Sequence, residues 1–349
     1  MDALMSPVLE LSASQLARNV AAVRERITPS ALMLAMKDDA YGHGIDWTLN
    51  ALADDVELER FGSFDVDTGL RIRALRPRAR VFAWTTSDDD EIRAAVDARL
   101  ELGIGSAEYL RRVVAIARAS GRSVAVHLKI DTGLHRNGIR PENWSEFVAE
   151  AASAQRAGAV RVVGAWSHLA EASDAEDDES AAGFRAAVDE LHRQGIAPED
   201  THLTASAASW WRPELRGTVC RIGAFCYGIR SADGPQIPGV RPIAALRARV
   251  LDVGDRSVEV GIGALHGLPS TLVGASIGTP AGARQILAVG DMRSSVARWN
   301  GVSVGDVVSV FGPGDQGESD ATALGEHIGT VGEEILTRLT PAVRRVAIR

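Results

Sequence analysis

ALMLAMKDDAYGHG, residues 31–44, joins a short apolar run to a lysine, a tyrosine, a histidine and two glycines. The apolar run from Ala31 to Ala35 predicts a buried strand, which places Lys37 at the carboxyl end of that strand. An ammonium at the rim of an apolar core is poorly solvated, so it loses its proton more easily and can attack a carbonyl carbon to form a Schiff base. A surface lysine in front of an ordinary loop is the alternative interpretation. The surrounding sequence has to distinguish the two.

The pattern of this stretch recurs along the first two thirds of the chain. From about residue 8 to about residue 230, short apolar runs alternate about eight times with amphipathic helical stretches. This alternation is typical of an α/β fold with a parallel (β/α)8 TIM-type barrel, in which catalytic groups lie at the carboxyl ends of the strands. After Gly234 helical periodicity nearly disappears and short strands recur. We therefore expect a barrel over residues 8–233 and a β-rich C-terminal domain over residues 234–349, which also includes the N-terminal few residues.

Composition excludes several classes of protein. The 349 residues are 46% hydrophobic and carry a formal net charge of −8, which argues against a nucleic-acid surface. No apolar stretch approaches the ~20 residues that span a bilayer, and the N-terminus lacks a basic leader. We expect a cytoplasmic protein that binds neither nucleic acid nor membrane. Cys220 and Cys226, the only cysteines, are expected to be small buried residues, and no metal site is predicted.

Polar groups follow several of the predicted barrel strands. After SVAVHLKI, residues 123–130, comes DTGLHRNG, a turn with more hydrogen-bonding groups than packing requires. Arg136 in this turn could hold a carboxylate through two hydrogen bonds. The alternative is an ordinary capped loop.

Three further strand ends carry groups of the same kind. The flat ring of His168 could stack on a planar cofactor, or it could be a satisfied core residue. Ser206 and nearby backbone amides could bind an anion, or the serine could be only a helix cap. Arg221 lies inside an apolar strand, and a buried guanidinium requires a partner such as a carboxylate or a pyridine nitrogen. Together with Lys37, these groups fit the requirements of a pyridoxal phosphate site.

At this point the chain resembles the alanine racemases, which are pyridoxal-phosphate-dependent enzymes of the type III fold. The matching segments keep the same order through the barrel and into the tail: KDDAYGHG (37–44), KIDTGLHRNG (129–138), SHL (167–169), HLTASAA (202–208), RIGAFCYG (221–228), GDVVSVFG (305–312), IGT (328–330) and EILTRL (334–339). The resemblance covers nearly the full length. It implies an amino-acid isomerase that forms D-amino acids and works as a homodimer with a shared active site.

The resemblance also implies roles for individual residues. Lys37 would form the Schiff base with pyridoxal 5′-phosphate and serve as one of two racemising bases. Arg136 would steady the phenolate of the cofactor and contribute to substrate binding, with Lys129 orienting it. Arg221 would face the pyridine nitrogen, with His202 behind it and His168 against the ring. The complete set of implied cofactor-binding residues is Lys37, Tyr41, Trp84, Arg136, His168, His202, Ser206, Gly223, Ala224 and Arg221.

The sequence departs from the family pattern mainly at the residues expected to supply the second base and to bind the substrate carboxylate. The second base of the family is a tyrosine in a Gly-Tyr-Ala-Asp-Gly segment, supplied across the dimer. Here Ala264 stands at the tyrosine position, and His266, at the aspartate position, is the expected substitute base. Met292 and Arg293 stand where the family has a Met-Asp pair that binds the substrate carboxylate. Ala205 replaces an asparagine, and the end of the chain lacks a tyrosine for the phosphate.

Three hypotheses remain open because a missing general base slows proton transfer by about 10² to 10⁴. The first is an amino-acid racemase with an altered second base, acting on alanine or another small amino acid. The second is a pyridoxal phosphate enzyme of the same fold with one-base chemistry, such as aldol-type cleavage or one-face proton exchange. The third is a non-catalytic homologue that binds pyridoxal phosphate or an amino acid.

Overall fold

The computed structural model describes residues 6–85 and 88–348. In chain order the helices and strands are β1 (Val8–Ser12), α1 (Ala13–Ile27), β2 (Ala31–Ala35), α2 (Lys37–Tyr41), α3 (Ile45–Ala51), β3 (Arg60–Ser63), α4 (Val66–Leu75), β4 (Arg80–Ala83), α5 (Asp89–Asp97), β5 (Glu101–Ile104), α6 (Ala107–Ser120), β6 (Val124–Lys129), α7 (Pro141–Arg156), β7 (Val160–Trp166), α8 (Asp174–Arg193), β8 (Asp200–His202), α9 (Ser206–Trp211), β9 (Val219–Ile222), β10 (Ala244–Val253), β11 (Ser257–Val260), β12 (Ser276–Thr279), β13 (Gly282–Val289), β14 (Ser294–Ala297), β15 (Val307–Phe311), α10 (Ala321–His327), α11 (Gly332–Thr337) and β16 (Arg344–Ile348).

The chain divides into two compact units. The first, here the barrel unit, consists of Val23–Lys37 and Asp55–Gly223. The second, here the β-rich unit, consists of the chain up to Ala22, Asp38–Asp54 and the chain from Ala224 onward. The sequence pattern changes at Gly234, whereas the division between the units falls at Ala224 and also assigns residues 38–54 to the β-rich unit.

A parallel sheet forms the barrel unit. Among the described residues it contains eight strands in the spatial order β8-β7-β6-β5-β4-β3-β2-β9. The strands are short and almost fully buried, as expected when both faces of a parallel sheet are covered. Helices separate most of the consecutive strands, because parallel neighbours need a crossover. The predicted TIM-type barrel is therefore confirmed.

The seam between β8 and β9 is closed by side chains. The amide of Thr201 donates to the hydroxyl of Thr218 at 2.8 Å, and the amide of Thr218 donates to the hydroxyl of Thr201 at 3.1 Å. Further along, the amide of Arg221 donates to the Thr204 carbonyl at 3.4 Å. The reciprocal threonine pair satisfies two backbone donors that a regular ladder would otherwise satisfy.

Side-chain caps fix where the barrel helices begin. Asp65, Asp88, Ser106 and Ser173 each accept a hydrogen bond from the amide three residues later, at the start of α4, α5, α6 and α8. Each such cap contributes about 1 kcal/mol. Pro141 occupies the first turn of α7, where its missing amide costs no hydrogen bond. The capped starts come directly after the strand-end loops and so define the length of those loops.

A mostly antiparallel sheet forms the β-rich unit. Its order among the described residues is β11-β14-β13-β12-β15-β10-β1-β16, and β1 pairs with β16 in parallel. β1 also pairs with β10 in antiparallel register, with Leu9 opposite Leu246. The predicted β-rich second domain is therefore present, and the fold class is confirmed. In the described part of the chain, no helix has the length and apolar character needed to cross a bilayer.

Candidate active site

Lys37 lies two residues beyond β2, at the carboxyl end of a barrel strand. The amide of Met36 donates to the Gly62 carbonyl at 2.9 Å, which extends the pairing of β2 with β3 to the residue before Lys37. The side chain of Lys37 is partly buried. The strand-end position that the sequence predicted is thus the observed one.

Arg221 in β9 is a buried guanidinium with several hydrogen-bond partners. Its Nη1 donates to Nδ1 of His202 at 2.9 Å and to the His202 carbonyl at 2.7 Å. Its Nη2 lies 3.0 Å from Nδ1 of His168 and 2.8 Å from the Ser167 carbonyl. Burial lowers the pKa of Arg221 to about 10, so the group stays cationic at neutral pH. The described residues place no carboxylate against it.

The imidazole of His168 is influenced by the charges of the lysines and arginines that were predicted at the strand ends. Burial and the charges of nearby cations together lower the pKa of this imidazole to about 3. Those cations are Arg221, Arg136, Lys129 and Lys37. His168 is therefore neutral at physiological pH. Because Arg221 can only donate, Nδ1 of His168 accepts its hydrogen bond, and Nε2 of His168 carries the proton.

Trp166, at the end of β7, is a site residue that the sequence analysis did not single out. The ammonium of Lys129 lies 4.5 Å from its ring centre, and Cζ of Arg221 lies 5.4 Å from it. The same indole stacks on His202 with centroids 5.9 Å apart and planes 12° apart. A signal was available, since tryptophan is the residue directly before the Ser-His pair at that strand end. Trp166 thus offers an aromatic surface to both cations.

Trp84 follows β4 and lies in the same aromatic group. Its ring is 5.8 Å from that of Phe82, which in turn lies edge-on to Trp166 at 5.2 Å. A Cβ on Gly62 would lie 3.1 Å from the Trp84 ring, so the glycine leaves room for the indole. Trp84 is partly buried. The predicted cofactor-binding position therefore belongs to an aromatic layer at the strand ends.

The turn that carries Arg136 is anchored at its base. The amide of Ile139 donates to the Lys129 carbonyl at 2.9 Å, and the amide of Asp131 donates to the Ile139 carbonyl at 2.8 Å. Gly138 has a φ of +127°, and a Cβ there would lie 2.8 Å from the Asp131 amide nitrogen. Only glycine fits both restrictions. Arg136 itself is exposed at the turn.

Ser206 and Gly223 supply two donors at the next strand ends. The amide of Gly223 lies 3.4 Å from the hydroxyl of Ser206, which is the first residue of α9. Ala205, the residue before the helix, provides no side-chain cap. The Gly223 amide donates to the Ser206 hydroxyl in a long hydrogen bond, which an anion that accepts from both groups can replace.

Tyr41 belongs to the β-rich unit and ends a left-handed turn. Asp38, Asp39, Ala40 and Tyr41 all have φ between +52° and +56°, which costs about 1–2 kcal/mol for each non-glycine residue. The amide of Ile45 donates to Oδ1 of Asp39 at 3.1 Å, which ties this turn to the start of α3. Burial raises the pKa of Tyr41 by more than a hydrogen bond with the Ala224 backbone lowers it. The hydroxyl of Tyr41 therefore stays protonated.

In the β-rich unit, the Ala264 turn contacts the segment that precedes Met292 and Arg293. The amide of Ala264 donates to the Gly290 carbonyl and that of Leu265 to the Asp291 carbonyl, both at 2.8 Å. Met292 and Arg293 therefore follow directly after the segment that contacts the Ala264 turn. Ala264 and Arg293 are both exposed.

His266 closes the same turn and is buried. Its Nδ1 accepts the amide of Gly263 at 3.1 Å, and burial lowers its pKa. Nε2 of His266 is buried with no hydrogen-bond partner among the described residues. Because Nδ1 accepts this hydrogen bond, the neutral ring carries its proton on Nε2. Cys220 and Cys226 are free and buried, as predicted.

The donor set of the barrel unit fits pyridoxal phosphate. A primary amine at a strand end can bind an aldehyde, and a hydroxyl beside an amide can bind a phosphate. A buried guanidinium is a pure donor and matches a pyridine nitrogen that carries a lone pair. Four cations near one neutral imidazole favour an anionic ligand.

Comparisons with known proteins agree with this geometry. Residues 11–231 match the family model described as "Alanine racemase, N-terminal domain". The chain is 32% identical to an alanine racemase of Thermobifida fusca, with 94% of each chain covered, and 30% identical to one of Streptomyces coelicolor, with 99% and 97% covered. Among solved structures, alanine racemases from Streptomyces lavendulae and Streptomyces coelicolor superimpose with TM-scores of 0.92 at 27% and 28% identity. Those superpositions cover 99% of this chain and 97% and 99% of the other chains.

Proposed function

This chain belongs to the alanine racemase family, and we propose that it is a pyridoxal-phosphate-dependent amino-acid racemase with an altered second base and an altered carboxylate site. The observation that carries the proposal is the buried contact between Arg221 and His168, whose Nη2 and Nδ1 lie 3.0 Å apart. The charges of Lys37, Lys129 and Arg136 also act on this imidazole and lower its pKa. A small amino acid, alanine among others, is the proposed substrate, since the relatives are named alanine racemases.

Different residues of the barrel unit bind different parts of the cofactor and the substrate in this proposal. Ser206 and Gly223 donate to the phosphate, and the sequence resemblance adds Tyr41 and Ala224 as phosphate donors. Arg221 donates to the pyridine nitrogen, and His168 and Trp84 contribute aromatic surface. Arg136 binds the phenolate oxygen and the substrate carboxylate.

Proton transfer at Cα is assigned to Lys37 on one face. When bound, pyridoxal phosphate supplies an electron-withdrawing ring that makes the Cα proton of an attached amino acid acidic. Nζ of Lys37 removes or returns that proton. Because Arg221 can only donate, it disfavours a proton on the pyridine nitrogen and so limits side reactions.

The second face is where this chain departs from its relatives. Ala264 offers no proton-transfer group, so we assign the second base to His266. Its Nε2 can take up a proton only when the ring carries its proton on Nδ1, which breaks the hydrogen bond from the Gly263 amide. Met292 and the exposed Arg293 are assigned to the substrate carboxylate, for which Arg293 supplies a positive charge. In the homodimer that we propose, these residues would come from the partner chain.

Trapping with borohydride tests the cofactor assignment. The chain contains only two lysines, Lys37 and Lys129, so mass mapping of the reduced protein locates the pyridoxyl group without ambiguity. We expect a visible absorbance band that borohydride abolishes, with the label on Lys37. The Lys37→Ala variant should lose the band and Lys129→Ala should keep one. A band that persists in Lys37→Ala would contradict the assignment.

The exposed Ala264 also favours a second candidate, one-base chemistry on the Lys37 face. Incubation with L-alanine and other small amino acids in deuterated water distinguishes the two. Deuterium at Cα with inversion supports racemisation, whereas deuterium with retention supports one-face exchange. The absence of exchange with every amino acid tested would favour a non-catalytic binding protein.

A further inference from the structure

A chain of hydrogen bonds leads from Arg221 through the interior of the barrel unit to Glu101. Nη1 of Arg221 lies 2.9 Å from Nδ1 of His202, and Nε2 of His202 lies 2.8 Å from Nδ1 of His127. Nε2 of His127 lies 2.8 Å from Oε2 of Glu101. The exposed fractions of these residues are 7% for Arg221, 0% for both histidines and 8% for Glu101. We refer to these four residues as the relay.

Only one arrangement of protons is possible in the relay, because Arg221 at one end can only donate and the Glu101 carboxylate at the other end only accepts. Arg221 has no acceptor, so Nδ1 of His202 must accept and the neutral ring carries its proton on Nε2. That Nε2 proton points to Nδ1 of His127, which must therefore accept in turn. His127 then carries a proton on Nε2 and donates it to Glu101. Every donor in the relay points away from Arg221 and toward the carboxylate.

The relay spans the barrel along the direction of its strands. Glu101 is the first residue of β5 and His202 is the last residue of β8. Glu101 and His202 therefore lie at opposite ends of the parallel sheet. Active sites of this fold lie at the carboxyl ends, whereas the amino ends usually serve stability. Glu101 is the member that lies remote from the predicted site.

The surroundings of the relay are shaped to hold it. A Cβ on Gly164 would lie 1.8 Å from Nδ1 of His127, so only a glycine at this position of β7 leaves room for the imidazole. Arg80 contacts Glu101 through Nε at 2.6 Å and Nη2 at 3.2 Å. Burial would raise the pKa of Glu101, but the hydrogen bond from His127 and the Arg80 guanidinium lower it to about 2. Glu101 is therefore an anion and only accepts.

A cation site is the competing explanation, because Glu101, His127 and Asp200 could present ligand atoms to one metal ion. Both carboxylates already have arginine partners, however. Nη2 of Arg80 lies 2.9 Å from Asp200, and Arg60 lies 3.5 Å from the same carboxylate. Nε2 of His127 carries a proton toward Glu101 and so has no lone pair for a metal. The cluster is a hydrogen-bonded ion network.

We propose that Glu101 and His127 are positioning residues that fix the tautomer of His202 and thereby hold the guanidinium of Arg221 in place. The positioning of Arg221 matters for catalysis only under the proposed function, in which Arg221 donates to the pyridine nitrogen of the cofactor. If His202 carried its proton on Nδ1, that proton would oppose the Arg221 N–H, and the guanidinium would lose its hydrogen bond to the His202 ring while keeping those to the backbone carbonyls. The carboxylate at the far end of the barrel excludes that tautomer.

Nitrogen-15 NMR of the histidine rings tests the relay in the wild-type protein without ligand. We expect His127 and His202 to show an unprotonated Nδ1 and a protonated Nε2. A proton on Nδ1 of either ring would overturn the proposal. This measurement needs neither a variant nor the cofactor, so it is independent of the proposed function.

The variant Glu101→Gln tests the remote effect. A glutamine amide can present an N–H to His127, so we expect a second tautomer of both histidines and a loss of pyridoxal phosphate affinity of about tenfold or more, the size of one hydrogen bond to a charged group. The 15N signal of the pyridine nitrogen in labelled cofactor should also shift. The control Glu199→Gln removes a carboxylate 3.5 Å from the same Arg80 but outside the relay.

The outcomes separate the relay from the proposed function. Unchanged tautomers in Glu101→Gln, or equal changes in Glu199→Gln, would overturn the relay. Altered tautomers with wild-type affinity and an unshifted pyridine signal would also overturn it, because Arg221 would then not depend on Glu101. A wild-type protein that binds no pyridoxal phosphate would contradict the proposed function, and the ligand-free NMR measurement would still decide the relay.

Discussion

The ammonium of Lys129 lies 4.5 Å from the centre of the Trp166 ring, on a buried surface that also faces Arg221. The attraction of the ring offsets only part of the cost of burying this charge. Burial and the charges of Arg136 and Arg221 lower the pKa of Lys129 to about 8. Of the two lysines in the chain, this one is held in an environment that opposes its charge.

Replacement of Lys129 by methionine should remove a specific pH dependence of stability. A lysine with a lowered pKa binds fewer protons in the folded than in the unfolded state, so stability rises as pH increases above about 8. We expect the wild type to gain about 2 kcal/mol from this group between pH 7 and pH 9.5. Urea unfolding of Lys129→Met at both pH values should lack this gain. Lys129→Arg, which keeps its charge, should lack it too but be less stable than Lys129→Met.

His168 should make the protein sensitive to acid. Its pKa is lowered to about 3, so below pH 6.5 the unfolded chain binds a proton that the folded protein does not. Stability is therefore lost as pH falls, by about 2 kcal/mol between pH 7 and pH 5. In His168→Gln, urea unfolding should show a correspondingly smaller loss. The same substitution at the exposed His192 should leave the loss as in the wild type, and equal slopes for the two variants would contradict the assignment.

A tyrosine at position 264 should restore the family's second base. Ala264 is exposed in a turn, so a larger side chain fits without repacking a core. We expect Ala264→Tyr to raise the rate of Cα deuterium exchange with inversion by about 10² or more, the usual contribution of a general base. Ala264→Phe supplies the same ring without the hydroxyl and should give no increase. Similar rates in the two variants would show that the ring fills space only.

Gly138 should be needed for the turn that carries Arg136. Alanine there meets both a φ of +127° and a Cβ contact of 2.8 Å with the Asp131 amide. Gly158 has a φ of +76°, and no atom lies within 4 Å of a Cβ placed there. The loss of stability in Gly158→Ala therefore measures only the cost of a positive φ for alanine. We expect a loss of about 1 kcal/mol for Gly158→Ala and about 2–4 kcal/mol for Gly138→Ala in urea unfolding. Equal losses would show that the Asp131 contact relaxes freely.

Much of the barrel and its strand-end groups could be predicted because both depend on local patterns. Alternating apolar runs and amphipathic stretches indicate strands and helices in any context. The strand that precedes Lys37 and the one that contains Arg221 were identified in this way. Trp166 and Glu101 were not, since nothing local distinguishes a tryptophan or a glutamate that takes part in a site from one that only packs.

The sequence by itself determined the repeating strand–helix order and the residues that end each strand, and its resemblance to the alanine racemases led us to expect Ala264 at the position of the family tyrosine. Only the tertiary structure decided that Arg221 is anchored to His202, that His202 contacts His127, and that Glu101 completes the relay. The left-handed backbone over Asp38–Tyr41 was equally hidden, because non-glycine residues disfavour it unless surrounding contacts offset its cost. The physical reason is the same in both cases. Hydrogen-bond partners separated by 19, 75 and 26 residues meet only when the parallel strands close into a sheet, and no periodicity along the chain encodes such meetings.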